Sequence, residues 1–206
     1  MPAPNMAEAL AETRDPRLRA AWKSWLAALA TDADAALAAS FAYESLAPEL
    51  RGAWLDALDQ DAPSLAVPAV ALYAPLAAVE QDPALQTRIA QALASARPLS
   101  PASVRAFCGI SPEGPRVCVL VAPLYLDFVE LLRCRYCFQQ GILEARLEPM
   151  CRLQGSPVSS VPLEETPLAY VLDDLAQAVI VSQRNGRTLP PALCDFAYLF
   201  GPQQGS

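Results

Sequence analysis

Phe128-Val-Glu-Leu-Leu-Arg-Cys-Arg-Tyr-Cys-Phe138, then Gln139-Gln-Gly141, then Ile142-Leu-Glu-Ala-Arg-Leu147 decide the fold of the C-terminal half. Two apolar-rich runs flank a short polar segment ending in glycine, which predicts an antiparallel hairpin over about 128–147. Side chains alternate across a strand. Leu132, Cys134, Tyr136 and Phe138 therefore share one face, expected to be the core face, and Leu131, Arg133, Arg135 and Cys137 share the other.

Outward from the hairpin, Val117 to Val121 is a β-branched apolar run that predicts another strand. It follows the turn-forming Ser111-Pro-Glu-Gly-Pro115. On the C-terminal side, Gly155 to Pro162 reads as a loop and Thr166-Pro167 opens a helix over about 167–183. Its apolar side is expected to hold Leu168, Val171, Leu172, Leu175, Val179 and Ile180, and Asn185-Gly186 stops it. Leu189-Pro-Pro191 introduces a last short helix over about 190–200, with Leu193, Phe196, Ala197 and Phe200 facing the sheet. Residues 201–206 are expected to fray.

The front half has a different periodicity. Asp15-Pro16 and Asp82-Pro83 each place a side-chain acceptor before a proline whose missing N–H costs nothing in the first helical turn. After the first, Leu18, Ala21, Trp22, Trp25, Leu26 and Leu29 fall on one helical face, expected to be buried. Pro48, Pro63, Pro68 and Pro75 divide the segment into short helices. Arg19-Ala-Ala-Trp22 overlies Arg51-Gly-Ala-Trp54 at an offset of 32 residues, the spacing of helical-hairpin repeats. The expectation is an α+β protein. Residues 1–100 form a mainly helical region, one arrangement being a helical-hairpin array. Residues 101–206 form a small α+β region with an antiparallel hairpin or sheet and two helices.

Composition narrows the chemistry. The chain of 206 residues has six cysteines and no histidine, which removes Ser–His and Cys–His catalysis and histidine metal ligation from within the chain. With 53% hydrophobic and 18% charged residues it is far from a disordered composition. A net charge of −7 argues against general nucleic-acid binding. Val117 to Leu132 is interrupted by Pro123, Asp127 and Glu130, so no membrane span is expected. The N-terminus has no basic, then apolar, secretory pattern, and a cytoplasmic protein is expected. One lysine, Lys23, against fourteen arginines resembles the composition of proteins from high-GC bacterial genomes.

The residues offer three kinds of site. Cys118, Cys134, Cys137 and Cys151 stand in a C-x15-C-x2-C-x13-C arrangement that could offer thiolates to zinc. Cys134 and Cys137, however, lie on opposite faces of the predicted strand. No metal site and no cofactor are therefore expected, and the cysteines read chiefly as small apolar residues. Cys137, beside two arginines, is the thiol candidate. Arg133, Arg135 and Arg146 form a locally basic patch suited to an acidic partner, unless Glu144 and Glu148 pair with them across the hairpin. Trp25, with only alanines beside its face, is the tryptophan expected to reach the surface and join that partner-binding set. Glu164-Glu165, Asp173-Asp174 and Asp127/Glu130 are the adjacent carboxylates that acid–base chemistry would need.

The function expected from these residues is a non-catalytic cytoplasmic protein–protein interaction module, an adaptor or accessory subunit of a bacterial complex. Its partner would be another protein, with self-association a further option, and neither nucleic acid nor membrane. The alternatives are a cysteine-based zinc or thiol-redox protein, and an accessory enzyme using carboxylates on a small molecule.

Overall fold

The computed structural model describes residues 16–94, 103–153 and 156–200. The chain divides into two compact units, Met1–Arg97 and Pro98–Ser206. The first is helical and the second is a sheet with helical cover, giving an α+β protein.

In the helical unit, α1 (Pro16–Ala28), α2 (Ala33–Glu44), α3 (Pro48–Asp61), α4 (Ala69–Ala77) and α5 (Pro83–Ala94) follow one another, with a 3-10 turn at Ala62–Ser64. The start signals act as their chemistry dictates. Asp82 accepts from the backbone N–H groups of Ala84 (2.8 Å) and Leu85 (3.2 Å) before Pro83. Asp32 does the same for α2 through Asp34 and Ala35. Asp15 lies outside the described residues. The spacing that carries Trp22 onto Trp54 also carries Pro16 onto Pro48, so α1 and α3 begin alike. Three of the prolines lie at helix boundaries. Pro75 instead sits inside α4, in its last turn, where only one backbone hydrogen bond is forfeited.

Helix α4 is apolar all round, with Ala71 through Leu76 buried, as befits a helix surrounded by its own unit. Leu26, Leu29, Tyr43, Leu55, Leu58, Ile89 and Leu93 close around this core. Two polar nodes tie it together. Glu80, its side chain fully buried, accepts from Tyr43 Oη (2.5 Å), Arg51 Nη1 (3.3 Å), and the N–H groups of Gln81 and Asp82. Asp59 takes Tyr73 Oη and Arg88, which also reaches Asp56 at 2.8 Å.

The α1 face is only partly buried. Leu26 and Leu29 are enclosed, whereas Leu18 and Ala21 lie exposed and Trp22 and Trp25 are half-buried. The helix meets the core through its C-terminal turns, and its N-terminal turns extend beyond that contact.

In the sheet unit, β1 (Arg105–Ile110), β2 (Arg116–Tyr125), β3 (Phe128–Cys137), β4 (Gly141–Arg152) and β5 (Glu164–Thr166) form one antiparallel sheet in the order β4-β3-β2-β1-β5. The hairpin of β3 and β4 is the one expected from the sequence, except that Phe138, expected on the core face, lies past the end of β3 and is exposed. Strand β1 and the short β5 add an edge that the sequence reading did not assign. Helix α6 (Leu168–Arg184) and a 3-10 helix (Pro191–Phe200) cover the face built from Ala106, Cys118, Leu120, Leu132, Cys134 and Tyr136. On the opposite face, Leu153 and Leu163 pack against Phe107, Val119, Val121 and Leu131.

Two details of the cover differ from the periodicity reading. In α6 the buried positions are Val171, Leu175, Ala178 and Ser182, so the stripe turns away from Ile180, which is exposed. In the last helix, Leu193, Phe196 and Leu199 are buried at three-residue spacing because the segment is 3-10, and Phe200 faces out. Gly141 seats α6 on the hairpin. Its φ is +84°, and a Cβ there would lie 2.6 Å from the Ser182 backbone nitrogen. Ser182 Oγ then accepts the buried Ile142 N–H at 2.7 Å.

Candidate functional site

In the helical unit the tryptophans converge. Trp22 and Trp25, three apart on α1, stack with centroids 5.4 Å apart, and Trp54 of α3 meets both edge-on at 5.3 and 5.7 Å. Tyr43 approaches Trp54 from beneath the surface at 6.2 Å. Trp22 Nε1 donates to Asp61 at 3.1 Å, which fixes the indole against the end of α3. None of the three rings is buried. Trp25 is thus at the surface together with Trp22 and Trp54. Leu18, one helical turn before Trp22, is 58% exposed and extends the apolar stripe along α1.

The arginines of the hairpin have partners. Arg133 Nε pairs with Glu148, and its Nη1 donates to the Val158 carbonyl at 2.7 Å. Arg146 pairs with Glu144 on its own strand. Arg135 lies opposite Glu144 in register but reaches Glu113 of the β1–β2 turn, at 3.4 Å. Strand β4, at the sheet edge, carries Glu144, Arg146, Glu148, Pro149 and Arg152, a charged and proline-bearing edge that resists pairing with another strand.

The carboxylate neighbours do not converge. Glu165 pairs with Arg105, and Asp127 pairs with Arg152. Asp174 binds Arg116 and accepts from Tyr136 Oη at 3.1 Å, while Asp173 is exposed.

Cys134 and Cys137 point to opposite faces of β3, as the strand alternation predicts. Cys134 is buried on the helix-covered face and Cys137 is half-buried on the other, opposite Gly141. Cys151 belongs to that second face, beside Glu148, and burial with this carboxylate pushes its thiol up to about 11. Three cysteines do line up. Cys108 of β1 stands opposite Cys118 of β2, and Cys118 stands opposite Cys134 of β3, giving a thiol row across three strands. Cys118 and Cys134 are enclosed; Cys108 is half-buried. Hydrogen bonding to Cys108 and Cys134, then burial, holds the Cys118 thiol well above its ordinary range. Cys108 is shifted down, first by its hydrogen bond with Cys118; burial and Asp174 oppose this, and Arg116 and Thr166 assist it. Cys108 escaped the sequence reading because β1 did. The short apolar run Ala106-Phe-Cys-Gly-Ile110 between two turn segments was the available signal.

Among the described residues, no group of three or more histidine, cysteine or acidic side chains is placed to hold a metal ion. No helix among them is long and apolar enough to cross a membrane. The chain matches no protein-family model, no curated protein and no solved structure at a significant level.

Proposed function

We propose that this protein is a non-catalytic protein-interaction module whose helical unit docks a partner protein on Trp22, Trp25 and Trp54. The observation supporting this reading is three mutually packed indoles, each left partly in water. An aromatic side chain contributes mainly by the 150–250 Å² it can bury, and a contiguous apolar patch held open at a surface marks an interaction site. Tryptophan is also the residue most enriched among interface hot spots.

The Leu18–Trp22–Trp25 stripe follows the i, i+4, i+7 spacing with which one helix packs on another. An amphipathic helix of the partner is the occupant that spacing suits. The hairpin arginines, already paired within the sheet unit, carry no part of this proposal. The role proposed on this basis is that of an adaptor or accessory subunit of a complex.

The test is comparative capture from the native host, with the wild-type chain beside Trp25→Ala, Trp54→Ala and the control Arg146→Ala. Loss of one and the same protein in both tryptophan variants, with retention in the control, supports the proposal. A captured set unchanged by both substitutions, in variants that keep the wild-type circular dichroism, overturns it. Concentration-dependent sedimentation of the purified chain that disappears in the same variants would make a second copy the occupant and remove the heterologous partner.

A further inference from the structure

The row of thiols in the sheet unit is ordered by backbone hydrogen bonding. The Ser111 N–H donates to the Pro115 carbonyl at 2.8 Å, so Ser111 and Pro115 form a hydrogen-bonded pair closing the β1–β2 turn. Antiparallel pairs alternate between hydrogen-bonded and non-hydrogen-bonded. The unbroken register through Ile110↔Arg116 and Gly109↔Val117 therefore makes Cys108↔Cys118 a non-hydrogen-bonded pair. In such pairs the Cα atoms lie about 4.5 Å apart and the side chains approach most closely. That separation falls inside the range of about 4.4–6.8 Å spanned by disulfides.

The backbone N–H and C=O of one strand residue point to the same neighbour, so Cys118↔Cys134 must be the wider, hydrogen-bonded pair. Both of its thiols are also fully enclosed. Cys137 and Cys151 face Gly141 and Val129 in register, not cysteines. Cys108 is the half-buried member of the row, beside Arg116, Asp174 and Thr166.

We infer that Cys108 and Cys118 are a redox pair that closes to a cross-strand disulfide on reaction with a peroxide. The Cys108 thiolate attacks one peroxide oxygen; the S–O bond forms, the O–O bond breaks, and the departing hydroxide takes a proton from solvent to leave as water. Cys108 is then a sulfenic acid. The Cys118 sulfur attacks that sulfur, the S–O bond breaks, and the hydroxyl leaves as water with the Cys118 proton. Two thiols lose two electrons in all, and one peroxide becomes two waters. Burial of Cys118 behind α6 keeps the second thiol from reacting with peroxide directly, so within the pair oxidation begins at Cys108. This inference is independent of the tryptophan surface.

The full chain is exposed to hydrogen peroxide, its remaining thiols are blocked with N-ethylmaleimide, and its peptides are mapped without reduction. The expected result is loss of two of the six thiols, recovered as a Cys108–Cys118 linked peptide that dithiothreitol releases. Cys134→Ser should leave this product intact, and Cys108→Ser should abolish it. Cys118→Ala should stop at a Cys108 sulfenic acid trapped by dimedone. Should that variant not fold, the wild-type map decides alone. Accumulation of sulfinic acid at Cys108 without a linked peptide, or a linkage between any other two cysteines, overturns the inference.

Discussion

Replacing Glu80 with alanine removes the one acceptor that four donors of the helical unit share. Tyr43 Oη, buried with the rest of its side chain, loses its partner at 2.5 Å, and the N–H groups of Gln81 (2.7 Å) and Asp82 (2.8 Å) lose theirs. Arg51, whose side chain is 17% exposed, is left without a counter-charge. Breaking a buried ion pair from one side costs about 3–5 kcal/mol. Arg51 keeps its bonds to the carbonyls of Glu44 (2.8 Å) and Leu46 (3.3 Å), which places the expected loss at the lower end, about 3 kcal/mol. All three tryptophans lie in this unit, so fluorescence during urea unfolding reads it alone. With a slope of about 1–3 kcal/mol per molar urea, the midpoint should fall by about 1 M or more. The same carboxylate gives a pH signature. Burial alone would raise its pKa, but the hydrogen bonds from Tyr43, Asp82 and Gln81 and the charge of Arg51 outweigh burial and lower it. A lowered folded pKa contributes stability that is complete above the unfolded value, about 4.3, and is lost as pH falls through the folded value. Urea midpoints of the wild type should therefore decline below about pH 4 more steeply than those of Glu80→Gln. A Glu80→Ala cost under about 1 kcal/mol, within the range of one ordinary neutral hydrogen bond, would refute the assignment of this node as the polar centre of the helical core.

Gly141→Ala should destabilise the sheet unit by about 2 kcal/mol, since the new Cβ meets the Ser182 backbone and φ is positive; amide hydrogen exchange in β3 and β4 would show the loss, and unchanged protection would contradict it. Tyr125→Phe should be neutral or stabilising by about 1 kcal/mol in sheet-unit hydrogen exchange, because the buried Tyr125 hydroxyl has no partner among the described residues. A clear loss of protection would show that the hydroxyl does bond.

The α+β class was legible because its signals are local. Proline after aspartate starts α5, Gly141 ends the hairpin turn, and period-two alternation places Leu132, Cys134 and Tyr136 on the face that is in fact covered. What escaped depends on neighbours distant in sequence. Strand β1 is six residues long and depends on β2 and β5 for its pairing, and with it went Cys108. Cys134 and Cys137 are neighbours along the chain, whereas the row Cys108, Cys118 and Cys134 runs across the strands. Leu18, Trp22 and Trp25 have the periodicity of a buried face, yet Leu18 lies exposed and both indoles are only half-buried. Helix period identifies a face; it does not supply what covers it. The arginine patch shows the converse, since Glu113, Glu144, Glu148 and the Val158 carbonyl claim its members only once strands and loops are folded.

The affinity of the captured partner for the wild-type chain and for Trp25→Ala, measured by titration calorimetry, tests the docking surface most directly. An anchor tryptophan contributes about 2 kcal/mol or more, so Kd should rise by about thirtyfold. An unchanged Kd in a variant that keeps the wild-type urea midpoint would contradict the account.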